Sequence, residues 1–294
     1  IKVYIRNTWD WLNVELNKGD VDYIQRRCQH RHECAPVLRR RGKQWFLDFA
    51  FEEQVKLIDE PLETRKIVAV DLGINNACTC SVMTAEGAIL DRKFLSLSRE
   101  QDSLQHALNR IKKAQQHHNY KTPRLWARAK GINADIAVKT AQFIIDTAIL
   151  WDANVIVFEH LDVRGKKRGS KKQKLHHWRA MYVQAMVEGK AHRLGMRISR
   201  VCTWGTSRLA YDGSGSVERG IDGNYSVCRF QSGKIYNCDL SASYNIGARY
   251  FVREILKSLS ETARLGIEAK VPQCAKRITC TLSTLISLNA ALAA

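Results

Sequence analysis

The stretch IVAVDLGINN, residues 67–76, constrains this chain more than any other. Four apolar residues of strand character run into Asp71, and a glycine turn then ends in two asparagines. A strand-end aspartate before Gly73 has an ordinary explanation as a turn or helix-cap residue. Asp71 is not alone, however. Glu159 ends a second apolar strand, NVIVFE, and Asp239 opens a helix after GKIYNC, where an N-cap is the ordinary explanation. Three carboxylates at three element ends of one sheet can converge on one point. Their repulsion is costly unless cations sit between them, and two bound Mg²⁺ ions supply that charge. Two such ions about 4 Å apart activate a water and stabilise the leaving oxygen in phosphodiester cleavage.

The surrounding pattern gives these carboxylates a scaffold. KIVAVDLG, ACTCSVMTAEGAILDRKFLSL and ANVIVFEHL read as sheet strands, with a hairpin turn at Glu86 and Gly87. The periodicity predicts helices over about residues 99–118, over a segment striped by Ile136, Thr140, Phe143, Ile144, Thr147, Ala148 and Trp151, and over about 175–194. A strand, MRISRV, follows, and the last clear helix spans about 240–258. Strands and helices mix in an α/β arrangement around one sheet. Residues 203–235 are rich in Gly, Ser and Asp without periodicity and read as a loop-like insert.

The first 60 residues differ. KVYIRN, WDWLNVEL and KQWFLDFAF alternate as strands, and RRRGK, with Arg39, Arg40 and Arg41, reads as a basic turn between strands. DEPLETR separates this β-rich part from the rest.

Charge narrows the partners. The chain has 47 Lys and Arg against 29 Asp and Glu, a net charge of +18, which points to a polyanion. Nucleic acid leads, with a basic ribosomal or membrane-surface protein as the alternative. RGKKRGSKKQK, residues 164–174, concentrates this charge in Arg164, Lys166, Lys167, Arg168, Lys171, Lys172 and Lys174. It follows the Glu159 strand directly, so these cations read either as phosphate contacts beside the carboxylates or as a solvated loop. The C-terminal run ITCTLSTLISLNAALAA is too short and too hydroxyl-rich for a membrane span. Nine cysteines without regular spacing fit a reducing compartment. A soluble, cytoplasmic protein with no membrane partner is expected. A start at Ile1 suggests part of something longer.

VAVDLGINN, VIVFEHL and CDLSASYNIGARY, in that order and separated by helices, resemble the three split RuvC motifs of the TnpB nucleases and their relatives, the type V CRISPR effectors. In that family the third motif reads roughly D-x-N-A-A-x-N-I. Here Ser241 replaces the first Asn, while Ala242, Asn245 and Ile246 remain. The resemblance covers about residues 40–257 and includes the helical segment WRAMYVQAMVEGKAHRLGMRISRV. It implies an RNase H-like (RuvC) mixed sheet with helices on both faces, preceded by part of a β-rich wedge domain. It also implies a guide RNA, a DNA target and cleavage with two Mg²⁺ ions, for which Mn²⁺ substitutes. Asp71, Glu159 and Asp239 take the positions of the catalytic, metal-holding triad. Arg39, Arg40 and Arg41 are expected at nucleic acid with the basic run. A recognition lobe is expected upstream.

One family element fails. T-S-x-x-C-x-x-C-G…C-x-x-C-G, a four-cysteine zinc ribbon, precedes the third motif in the family. This chain keeps Thr206 and Ser207, but Ala210 and Gly213 fill the first two cysteine positions and Gln231 the fourth, leaving only Cys228. Structural zinc needs four ligands, so no zinc is expected. Cys202, Cys228 and Cys238 then read as small apolar residues or as an irregular site. CQHRHEC, with Cys28, His30, His32 and Cys34, reads as a polar hairpin or as a metal cluster on one strand face. The expected boundaries are a partial wedge domain over 1–62, nuclease segments over 63–201 and 237–258, the degenerate insert over 202–236, and a tail over 259–294. An RNA-guided DNA endonuclease is the leading function. An RNA-guided binder with weak or lost cutting and a guide-free nuclease or transposase are the alternatives.

Overall fold

The computed structural model describes residues 2–73, 76–161, 171–221 and 223–294. The chain divides into two units, Ile1–Lys56 and Leu57–Ala294.

The first unit holds three two-stranded sheets: β1 (Lys2–Ile5) with β2 (Thr8–Trp11), β3 (His32–Glu33) with β6 (Phe51–Glu52), and β4 (Val37–Arg41) with β5 (Gln44–Asp48). A helix that alternation did not predict, α1 (Lys18–Arg27), follows β2. Asn17 caps it by accepting the Asp20 amide at 2.9 Å, and Arg26 and Arg27 close its last turn. Cys28 is the residue that ends this helix, so CQHRHEC is not one continuous strand and its four ligand-type residues do not share a strand face. Arg39, Arg40 and Arg41 lie within β4 rather than in a turn. The turn is Gly42–Lys43, where Gly42 takes a positive φ of 65°. Arg39 and Arg41 pair with Asp48 at 3.3 and 3.1 Å, and Arg40 sits over the Trp45 ring.

The second unit is built on a five-stranded sheet. Its strands are β7 (Lys66–Asp71), β8 (Cys78–Thr84), β9 (Ile89–Leu95), β10 (Val155–Glu159) and β11 (Arg197–Val201), in the order β11-β10-β7-β8-β9. β7, β8 and β9 form an antiparallel meander, while β10 runs parallel to β7 and β11 parallel to β10. This is the RNase H-like arrangement. Strand periodicity explains why both faces are covered. Ile67 and Ala69 join one apolar core with α5 (Cys238–Ser258), while Val68 and Val70 join another with α3 (Pro123–Leu150) and α4 (Lys171–Arg193). α2 (Ser98–Gln116) packs on α3. Gly247 lets α5 lie flat on the sheet. A Cβ there would overlap the Met83 sulfur and reach Ala69 Cβ at 3.2 Å.

Two regions depart from the sequence reading. Residues 203–235 are not a loop throughout. β12 (Glu218–Ile221), β13 (Asn224–Arg229) and β14 (Ile235–Asn237) form an antiparallel sheet that runs straight into α5. The strands are too short for periodicity to register. Nor are residues 259–294 a tail. α6 (Glu261–Lys270), two 3₁₀ turns and α7 (Leu282–Ala293) complete the α5-side core, to which α7 contributes Leu282, Leu285 and Leu288. Among the described residues no helix is long and apolar enough to cross a membrane.

Candidate active site

Parallel register brings the first two carboxylates together. Val70 pairs with Phe158 across β7 and β10, so the next residues, Asp71 and Glu159, stand side by side where both strands end. Asp239 arrives from the start of α5. It is not the helix cap. Asn237 takes that role, its side-chain oxygen accepting the amides of Asp239 and Leu240 at 3.0 Å each. The Asp239 carboxylate is therefore spared for other work and accepts a hydrogen bond from Asn76 Nδ2 at 3.1 Å.

These carboxylates lie within one another's field. Burial, then the charges of Glu159 and Asp239, hold the Asp71 carboxyl well above the usual carboxylate range, and the Arg219 guanidinium opposes the shift. Burial also raises Glu159, against the Thr206 hydroxyl that donates to its Oε1 and the positive charge of Arg249. Arg219 comes from β12, anchored by donation from Nη2 to the Ser207 carbonyl at 2.8 Å. The insert thus contributes a cation to the carboxylate cluster.

Asp71, Glu159 and Asp239 are oxygen-only donors, the chemistry that Mg²⁺ and Mn²⁺ favour. Their like charge calls for a cation. In the present side-chain arrangement Glu159 turns to Thr206 and Asp239 to Asn76. Among the described residues no group of three or more His, Cys, Asp and Glu is gathered to hold a metal ion.

This electrostatic arrangement has a measurable cost. A carboxyl whose proton affinity is raised by folding loses stability as pH climbs from the unfolded carboxylate range through its raised folded value, so the full cost is present above that value. Asp71→Asn is expected to stabilise the chelator-treated protein at neutral pH by on the order of 1 kcal/mol, or about 2–4 °C in Tm. The gain should vanish below pH of about 3, where Asp71 is protonated folded and unfolded alike. Calorimetry in EDTA decides it. An unchanged or lower Tm at neutral pH would mean that Asp71 is not repelled there.

Two of the four positions that match the family's zinc cysteines, Ala210 and Cys228, lie in an apolar core. Ala210, Cys228, Phe230 and Cys238 pack into one buried apolar cluster, bordered by Tyr211 and Tyr236. Cys228 donates to the Tyr236 carbonyl at 3.4 Å, and burial pushes its thiol up to about 12. At that value the thiol is protonated at neutral pH. Cys202 is exposed and outside that cluster. Ser241, standing where the family pattern has Asn, accepts the Tyr211 amide at 3.2 Å and so joins α5 to the insert.

Only part of the basic run falls within the described residues. Lys171, Lys172 and Lys174 belong to the first turn of α4. Arg164, Lys166, Lys167 and Arg168 lie outside the described residues. Arg39, Arg40 and Arg41 belong to the first unit. Sequence reading missed Asn76, Arg219 and Arg249 at the carboxylates, and it placed Thr206 only in the lapsed zinc motif. Asn76 stands at the end of the first motif and Arg249 at the end of the third, so both were within motifs already singled out. Nothing in sequence marked Arg219.

Comparison with known proteins finds similar sequences and a similar solved structure. A family model described as a probable transposase, OrfB_IS605, matches residues 49–170, a span that includes Asp71 and Glu159. A TnpB-like protein of Aquifex aeolicus (strain VF5) is 26% identical over 234 residues, covering 71% of this chain and 74% of its own length. Among solved structures, the Cas12f1–sgRNA–target DNA complex contains a chain aligning at 17% identity with a TM-score of 0.49. That alignment covers 71% of this chain and 54% of the other, so the present chain spans about half of that protein's length. By its three ordered motifs and by the matched transposase model and TnpB-like sequence, the chain is similar to TnpB-like proteins over the part that carries Asp71 and Glu159.

Proposed function

We propose that this chain is the nuclease-bearing part of an RNA-guided DNA endonuclease that cleaves phosphodiester bonds at Asp71, Glu159 and Asp239. The observation that carries the reading is their convergence: two carboxylates stand on adjacent parallel strand ends and a third at a helix start, and the other two raise the proton affinity of Asp71. They would hold two Mg²⁺ ions, or Mn²⁺ in their place, and the bound ions supply the activated water and the charge that stabilises the leaving oxygen. The chain's own residues orient this donor set. Asn76 holds Asp239, Thr206 holds Glu159, and Arg219 places a guanidinium beside the charge-rich centre. Guide RNA and target DNA are the proposed partners, with base pairing supplying sequence recognition. A recognition lobe upstream would complete the protein.

Loss of cutting is the rival reading, and the lapsed zinc motif is its main support. The insert nevertheless keeps a three-stranded sheet and a packed apolar core, and it still delivers Arg219 and Thr206 to the carboxylates. That continuity favours cleavage over decay. The test is to sequence RNA that copurifies with the protein, programme it against a plasmid, and assay with Mg²⁺. Guide-dependent cutting is expected. Equal cutting of unmatched plasmid would point to a guide-free nuclease, and bound RNA without cutting to a binding protein.

The basic run supplies a separate prediction. Replacing Lys166, Lys167, Arg168, Lys171 and Lys172 by alanine should weaken binding to every DNA sequence. It should also make the slope of log affinity against log salt shallower by roughly 0.7–0.9 for each phosphate no longer neutralised. Guide-programmed specificity should survive. An unchanged slope would assign the run to solvent.

A further inference from the structure

Thr206 and Arg249 are both buried, and neither role follows from ligating a metal or contacting DNA. The Thr206 hydroxyl donates its one proton to Glu159 Oε1 and stands 3.0 Å from the Thr203 carbonyl. What fixes Thr206 is Asn245, fully buried on α5. Its Nδ2 donates to the carbonyls of Thr206 and Leu209 at 3.0 and 2.8 Å, and its Oδ1 accepts the Leu282 amide at 3.3 Å. One turn further along α5, Arg249 does the same job with charge. It donates to Cys202 and Trp204 carbonyls at 2.7 and 2.8 Å, and to those of Ile278 and Cys280 at 2.5 and 3.1 Å. Two side chains of one helix therefore bind residues 202–209 on one side and residues 278–282 on the other.

We infer that Thr206 is a positioning residue for Glu159, and that residues 278–282 set its place through Asn245 and Arg249. The inference rests on the nuclease reading for its catalytic consequence and on the hydrogen bonds alone for its structural one. A carboxylate rotates freely unless one oxygen is held. With Oε1 committed to the Thr206 hydroxyl, the group presents its remaining lone pairs to a cation in a narrower range of orientations. Outer partners of this kind orient a ligand, and losing one typically costs about 10–100-fold in metal affinity or activity. This also explains why Thr206 stays although its zinc motif has lapsed. The hydroxyl serves the carboxylate, not the metal ribbon.

The experiment compares Thr206→Val, which keeps the shape and removes the proton, with Thr206→Ser, which keeps the proton and removes the methyl. Both are made in the full chain with its copurified RNA. Thr206→Val should lower single-turnover cleavage by about 10–100-fold with KM within about twofold, and should weaken Mn²⁺ binding, read by paramagnetic resonance, by a similar factor. Thr206→Ser should recover both to near the parental values. Asn245→Ala should accelerate amide hydrogen exchange over residues 206–209 and reproduce the weaker Mn²⁺ binding. Parental Mn²⁺ affinity in Thr206→Val would overturn the positioning role, as would a Thr206→Ser as defective as the valine variant. Parental exchange and Mn²⁺ affinity in Asn245→Ala would overturn the part assigned to residues 278–282. If the parent protein cuts no programmed DNA, the nuclease reading falls, and Mn²⁺ affinity and exchange still judge this inference.

Discussion

Alanine at Asp71, Glu159 or Asp239 is expected to lower Mg²⁺-dependent cleavage by on the order of 10³-fold or more, while guide and target affinity stay within about twofold. The two effects separate because the residues act on different things. Each carboxylate lies at a sheet or helix end among its partners, half-buried, and offers DNA no cation to hold its phosphates. Affinity instead scales with the Lys and Arg side chains at the phosphates, and removing one negative charge from a chain of net charge +18 does not reduce them. Cleavage by the proposed mechanism, by contrast, would depend on the full donor set, since losing one ligand would leave a cation under-coordinated. Combining two of these substitutions should cost little more than one, because the residues act as a unit. Gel assays of cutting beside filter binding of the same preparations suffice. A variant that cuts at the parental rate removes its residue from the assignment.

The second large effect concerns the C-terminal segment. Leu285→Ala is expected to destabilise the second unit by about 2–5 kcal/mol, whereas Leu265→Ala should stay within about 0.5 kcal/mol. Leu285 is 0% exposed and lies in the core that α5 shares with the sheet; Leu265, on α6, is 57% exposed. The isopropyl group removed from Leu285 cannot be replaced by collapse, because several elements meet there. Leu285 and Ile286 line the space beside Gly87 in the β8–β9 turn, and Asn289 donates to the Ala85 carbonyl at 2.8 Å. Removing residues after 276 takes away this packing together with two of the four carbonyls that Arg249 binds, those of Ile278 and Cys280. Such a chain should lose cooperative unfolding in urea. Retention of a parental urea midpoint by Leu285→Ala would show that α7 is dispensable to the core.

Much of the second unit was readable because its strands are apolar runs bounded by turns and its helices long enough to repeat. KIVAVD and VIVFE could hardly be anything but sheet, and the position of a carboxylate at each end followed from the same residues. Elements were missed where short range decided. α1 owes its start to one Asn17 hydrogen bond amid residues that otherwise alternate, and β12–β14 are three to six residues long. α7 escaped because LSTLISLNAALA is apolar and hydroxyl-bearing all round, without the polar face that marks an amphipathic helix. Of the site, the carboxylates themselves stood out. Their partners did not, since Thr206 meets Glu159, Asn76 meets Asp239 and Arg219 nears Asp71 only through tertiary folding.

The plug of Ala210, Cys228, Phe230 and Cys238 has a practical consequence for anyone handling this protein. Where zinc holds a small domain, stripping divalent ions unfolds it, and a chelator experiment then confounds lost scaffold with lost catalysis. The proposal that apolar packing holds this insert leaves a chelator nothing to remove from it. Dialysis against EDTA should leave the insert standing, and adding back Mg²⁺, Mn²⁺ or Ca²⁺ one at a time then reports on the carboxylates alone.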